Sequence, residues 1–205
     1  MGFDLNGLAP IGAKEPRPKR PEPEVIGTEE NKTWKYDKKE LEEYHEKLDK
    51  WSNQEGTYFR NNVWWWRPLA DYTLEYSKVL TINEKTMEGW HTNSGHKVNK
   101  EEAIQIGKQL NYLIKSGHTK KFEEKYMAES RKAQKYNETI REKMDKLGKL
   151  KRNKDLVPRD YNKEDKAQWD KLYNMQKRIA DYPFSVENVK AFAKFCLASG
   201  GFEIC

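Results

Sequence analysis

Three tryptophans stand in succession at positions 64–66, inside the string YFRNNVWWWRPL. Adjacent side chains point in different directions in any regular element, about 100° apart on a helix and to opposite faces of a strand. The three rings therefore cannot all enter one core. At least one must lie against a second element, a cleft or a partner. Pro68 suits the first turn of a helix, so residues 67–80 read as a helix with Leu69, Tyr72, Tyr76 and Leu80 on one face. On this reading Asn61 and Asn62 make a turn, and Trp64, Trp65 and Trp66 form the approach to the helix.

The rest of the chain is polar: 35% of its 205 residues are charged and the mean hydropathy is -1.12. Yet 12% are aromatic, more than a disordered chain carries. These figures together predict a small aromatic core with long charged helices attached, since each buried aromatic removes roughly 150–250 Å² from water. The formal charge of +6 is modest because 39 basic residues face 33 acidic ones. No apolar run approaches the roughly 20 residues that span a bilayer, and the opening MGFDLNGLAP lacks the basic region of a signal peptide. Cys196 and Cys205 are too few for a disulfide framework or a zinc site. Reduced thiols in a cytoplasm are expected, although a bridge between the two is geometrically possible.

Helix signals recur along the chain. In residues 36–51, Leu41, Tyr44, Leu48 and Trp51 follow the 3, 4, 3 spacing of one helical stripe, with Asp37 as the cap. Residues 99–117 carry the clearest pattern: Asn99 caps, Glu102 completes a capping box, Ala103, Ile106, Leu110 and Leu113 face inward, and Gly117 ends the helix. Near the C-terminus Ser185 caps a helix with Val189, Phe192, Ala193 and Cys196 facing inward, and Phe184 with Val189 is placed as a hydrophobic staple. The final GGFEIC reads as a short strand able to pair with GFDLNGL at the other end. Between the helices, residues 82–98 read as a loop.

Two stretches read as additions to the core. Residues 14–35 form an extended arm, because KEPRPKRPEPE alternates proline with charge. Residues 119–181 carry a long charged helical pattern with a thin apolar stripe, a break near Pro158, and a second helix opened by Asn162 and Asp165 that carries Trp169, Leu172, Tyr173, Gln176 and Ile179. This reads as an antiparallel helical hairpin inserted into a core domain of residues 1–118 and 182–205. The expected fold is mainly α: a compact aromatic-cored helical domain with a small terminal β pairing and a projecting charged helical hairpin.

YFRNNVWWWRPL and PFSVENVKAFAKFCLASGGFEIC, with MGFDLNGLAP and GWHTNSGHKV, resemble a family of proteins found in tailed-phage genomes and prophages. The resemblance covers roughly residues 1–10, 56–117 and 182–205 and leaves the charged stretch outside. It implies no particular activity. It implies a phage protein made in the host bacterial cytoplasm, an accessory or host-interaction factor.

The chemistry of the residues favours binding over catalysis. The chain has no phosphate loop, no dinucleotide glycine fingerprint and no Gly-x-Ser-x-Gly elbow. Cys196 falls on an apolar helix face, as an inert core thiol does. No catalytic residue, metal ligand or cofactor is therefore expected. Tryptophan faces stack on aromatic rings, and arginine takes phosphate bidentately. Arg60 and Arg67 bracket the three tryptophans, and Asn61 and Asn62 can read ring edges. One pocket built from Arg60, Asn61, Asn62, Trp64, Trp65, Trp66, Arg67, the loop with His91, Asn93 and His96, and Gly200, Gly201 and Phe202 could hold a nucleotide-like molecule. The competing reading makes the tryptophans and Arg67 the packed centre of the fold. Three functions stay open: a counter-defence protein that sequesters a nucleotide-type signal, an inhibitor of a host protein acting through its charged helices, and a weak nucleic-acid binder. A homo-oligomer is also possible, and no membrane partner is expected.

Overall fold

The structure, a computed structural model, describes residues 2–27 and 31–205. Its centre is a four-stranded antiparallel sheet in the order β4-β1-β6-β5, with β1 at Gly2–Gly7, β4 at Tyr58–Asn62, β5 at His96–Val98 and β6 at Phe202–Ile204. The expected pairing of the two terminal segments is present, with Leu5 opposite Ile204 and Gly7 opposite Phe202. The sheet is larger than expected, because β4 and β5 flank that pair. Strand alternation divides its faces. Phe3, Leu5, Phe59, Val98, Phe202 and Ile204 take the core side. Asp4 and Asn6, with their cross-strand partners Arg60, Tyr58 and Glu203, take the other.

Seven α-helices are present among the described residues, so the chain is mainly α. The helix α1 (Lys38–Ser52) is capped by Asp37, whose carboxylate accepts from the Glu40 N–H at 2.9 Å. Its stripe of Leu41, Tyr44, Leu48 and Trp51 is the face that leaves solvent. The helix α4 (Lys100–Lys115) has the expected capping box, and its buried residues are Ala103, Ile106, Gly107, Leu110 and Leu113. The helix α7 (Val186–Ala198) starts from Ser185 and buries Val189, Phe192, Ala193 and Cys196, as the spacing predicts. It packs face to face on α4.

Four expectations are corrected. The tryptophan helix, α2 (Val63–Ser77), starts at Val63 rather than at Pro68, so the three tryptophans lie in its first turn. Asn61 ends a strand, and Asn62 is the helix cap, its Oδ1 accepting from the N–H groups of Trp64 and Trp65 at 3.1 Å. Pro68 is then inside the helix. Residues 82–98 are not a loop: they hold α3 (Glu84–His91) and the strand β5. The arm is not extended throughout, because β2 (Glu24–Ile26) pairs with β3 (Thr33–Lys35). Finally, the helical hairpin is asymmetric. Its first helix, α5 (His118–Gly148), has 31 residues, but the second, α6 (Lys163–Met175), has 13 and stops before Ile179.

The hairpin carries its own small core of Ile140, Met144 and Leu172, flanked by Tyr136 and Trp169. The first turns of α5, however, belong to the main core. Thr119 is buried, Phe122 and Tyr126 pack on the central cluster, and Glu123 accepts from the Val186 N–H at the start of α7 at 2.9 Å. The separate part begins near Tyr136, beyond the expected boundary at 119.

The core is aromatic at its centre. Trp66 stacks on Phe3 and Trp90, with ring centroids 5.5 and 5.8 Å away, and meets Phe192 edge-on at 5.7 Å. Phe192 also touches Phe59 and Phe202. Few residues suffice for this core because each one is large.

Candidate functional site

Successive residues on a helix diverge, and the three tryptophans divide accordingly. Trp66 is fully buried, Trp65 is half-buried, and Trp64 is 47% exposed, lying against the Tyr182 ring at 5.2 Å. Arg67 follows on the same turn and reaches the same tyrosine. Its Nη1 donates to the Tyr182 hydroxyl at 3.0 Å, and its guanidinium lies 5.9 Å from the ring centroid. Its Nε is buried and has no hydrogen-bond partner among the described residues.

Arg67 opens onto a cleft of about 330 Å³ between α2, the start of α5 and the segment 178–182. Arg67, Asp71 and Glu75 recur at intervals of four along α2, which sets them on one helix face. Phe122 and Tyr126 are the matching i, i+4 pair on α5. Arg178 and Ile179 come from a short 3₁₀ turn, Arg178–Ala180, and Tyr182 from the residues after it. The apolar floor is Tyr72, whose hydroxyl is engaged by His118 Nδ1 at 3.0 Å and Thr119 Oγ1 at 2.9 Å. Burial pushes the Tyr126 phenol up to about 12, with the Asp71 carboxylate and Tyr182 adding to the rise. Tyr126 is therefore a neutral O–H donor at physiological pH. His91 Nε2 lies 3.0 Å from Asp71 Oδ1 and braces that carboxylate from α3.

The other expected site residues lie elsewhere, and the single pocket expected from the sequence is not assembled. Arg60 sits on the outer face of the sheet, paired with Asp4 at 3.4 Å, because strand alternation turns it away from the core. Asn61 donates to Asn188 Oδ1 at 2.9 Å, and Asn188 in turn donates to the Trp65 carbonyl, so this amide clamps β4 and α2 to α7. Asn62 is occupied as a cap. Asn93 donates to the Gly2 carbonyl at 2.8 Å. His96 packs over Gly89, where burial and the neighbouring Lys85 lower its pKa. Gly200 and Gly201 have positive φ, at 63° and 92°, and turn the chain from α7 into β6. Phe202 is fully buried. Of the thirteen expected residues, Arg67 alone lines the α2–α5 cleft, with Trp64 tilted against the Tyr182 ring that borders it.

Sequence reasoning missed Asp71, Glu75, Tyr126, Arg178 and Tyr182. The i, i+4 spacing of Arg67, Asp71 and Glu75 was a usable signal. Nothing periodic joins it to residues 178–182, which arrive through the return of the hairpin.

No protein-family model, curated protein or solved structure matches this chain. Among the described residues no group of three or more His, Cys, Asp or Glu side chains could hold a metal ion, and no helix is long and apolar enough to cross a membrane. Both cysteines are free; Cys196 is fully buried, and burial pushes its thiol well up, so it is a protonated core group.

Proposed function

We propose that this protein is a phage accessory factor of the host cytoplasm that binds and sequesters a small nucleotide-type molecule, without catalysis, in the α2–α5 cleft. The observation that carries this reading is Arg67, held by Tyr182 with its Nε unpartnered, at the mouth of an aromatic-lined cleft. Small-molecule sites combine apolar walls with a few converging polar groups. Here Tyr72, Phe122, Tyr126 and Tyr182 offer ring surface, and about 330 Å³ lies at the small end of the usual range.

The charges narrow the ligand. Arg67 and Arg178 favour an anionic group, and the Tyr126 hydroxyl can donate to it. Asp71 and Glu75 on the same wall repel anions and accept from amino or hydroxyl groups. A compact polyphosphate fits poorly in such a field. A nucleotide fits better, with its phosphate toward the arginines and its sugar hydroxyls or base amine toward the carboxylates.

The test is mass spectrometry of small molecules released by denaturing protein purified from phage-infected cells, followed by calorimetric titration of the purified chain with whatever nucleotides appear. A nucleotide-type species bound in simple stoichiometry is expected. Absence of both released ligand and titration heat rejects the reading.

A second reading, inhibition of a host protein through the hairpin, is favoured by its exposed apolar side chains. Leu156, Val157, Tyr173 and Met175 are each more than 40% exposed, and exposed apolar side chains are what a contact surface buries. Host proteins captured by the full chain but not by a Leu156→Ser, Tyr173→Ser variant support it.

A further inference from the structure

The proline-rich arm runs antiparallel to α1. The Lys14 N–H donates to Gln54 Oε1 at 3.2 Å, Trp51 Nε1 donates to the Glu15 carbonyl at 3.1 Å, and Arg20 lies over the Tyr36 ring at 4.9 Å. Pro16, Pro18 and Pro21 hold the arm extended, so its cations are strung along the helix.

Between arm and helix lies a trough of about 610 Å³, distinct from the α2–α5 cleft. Lys14, Arg17 and Lys19 line it from the arm, and Lys47 and Lys50 from α1, against the single carboxylate of Glu15. Among the described residues none of these five cations has a carboxylate within 4.0 Å. Five cations against one carboxylate give the lining of the trough a net +4. Glu40 and Glu43 end the basic run where α1 begins. At its other end the trough meets a second cleft, of about 510 Å³, which shares Arg17 and Trp51 with it but is bordered by the carboxylates of Asp4 and Asp49, so the unopposed cations stop at the trough.

We propose that this trough binds single-stranded nucleic acid through its phosphates. A row of unpaired cations in a groove is the form that tracks a phosphodiester backbone. Lysines on flexible stems meet successive phosphates without choosing a sequence. The trough itself runs from Lys14 to Lys19 beside α1, which gives room for several nucleotides rather than one small anion. The enclosing arm favours a strand that can be threaded beside α1 and disfavours a duplex, whose phosphates lie on a convex surface.

The test is fluorescence anisotropy of the full chain with a labelled 12-nucleotide single strand. Five phosphate contacts imply a log–log salt slope of about −3.5, so affinity should fall about 100-fold between 50 and 200 mM salt. The double variant Lys47→Glu, Lys50→Glu should bind at least 10-fold more weakly and with a shallower slope, and Lys47→Gln, Lys50→Gln should lose less in the same direction. The control variant Lys132→Glu, Lys135→Glu, with the same change in net charge on exposed positions of α5, should bind nearly as the parent. Three results each overturn the proposal: no binding at 50 mM salt, an equal loss in the control, or a matched duplex bound as tightly as the single strand.

Discussion

The indole N–H of Trp66 donates to the main-chain carbonyl of Trp90 at 2.7 Å, while the two indoles stack with their planes 16° apart. This ties α2 to α3 at the centre of the core, where both residues are fully buried. Trp66→Phe keeps most of the ring burial but orphans the carbonyl, so it should cost about 1–3 kcal/mol. Trp66→Ala should cost about 3–5 kcal/mol. Denaturant unfolding measures both, and a loss under about 0.5 kcal/mol for the phenylalanine variant would remove the hydrogen bond from the account of the core.

Gly107 lies in the middle of α4, where glycine normally weakens a helix by about 1 kcal/mol relative to alanine. A Cβ there would stand 2.7 Å from Leu197 Cγ and 2.9 Å from the Ala193 carbonyl oxygen on α7. Backbone proximity across the α4–α7 contact outweighs propensity. Gly107→Ala should therefore destabilise by about 1–3 kcal/mol, as overpacking does. A stabilised variant would show that the two helices can separate at little cost.

Arg67 tests the α2–α5 cleft. Arg67→Ala and Arg67→Lys should both abolish or strongly weaken nucleotide binding in calorimetry, since lysine cannot reproduce the planar fork. Their melting temperatures should stay within about 3 °C of the parent, a shift of roughly 1 kcal/mol for a chain of this size. If both variants unfold instead, Arg67 is a brace between α2 and Tyr182 and the cleft reading fails.

The turn of the hairpin should respond to acid. Arg152 donates to Asp165 through Nε at 2.6 Å and Nη2 at 2.9 Å, and Asn162 adds a third bond. The guanidinium, aided by Asn153 and Asn162, holds the Asp165 carboxyl well below the usual carboxylate range. A depressed folded-state pKa stabilises above the unfolded value of about 3.9, and the contribution is lost as pH falls below it. Asp165→Asn should lower the melting temperature clearly at pH 6, and the gap from the parent should shrink toward pH 3. A gap that does not change with pH would mean the carboxylate's charge is not what matters there.

Local rules carried much of the architecture in the sequence. Asp37, Asn99, Asn162 and Ser185 announce helix starts because a cap needs only a side-chain oxygen and an N–H two or three residues on. The inward faces of α4 and α7 follow from 3.6-residue spacing, and the pairing of β1 with β6 from two short apolar alternations. The division of labour among the three tryptophans was also legible, since adjacent residues cannot share a face. The start of α2 was not legible: Asn62 and Pro68 are both acceptable helix openings, and β4, packed on β1, decides for Asn62.

The cleft itself is a product of tertiary structure. Strand alternation turns Arg60 to the outer face of the sheet, while helix rotation brings Arg67 to Tyr182, so two arginines seven residues apart serve different surfaces. Arg178 and Tyr182 reach α2 because the hairpin returns the chain there, a contact of more than a hundred residues' separation with no local trace. Short-range propensity and periodicity specified the elements and their buried faces. Which polar side chains converge was decided by how those elements pack, because convergence depends on distances between segments that no local pattern encodes.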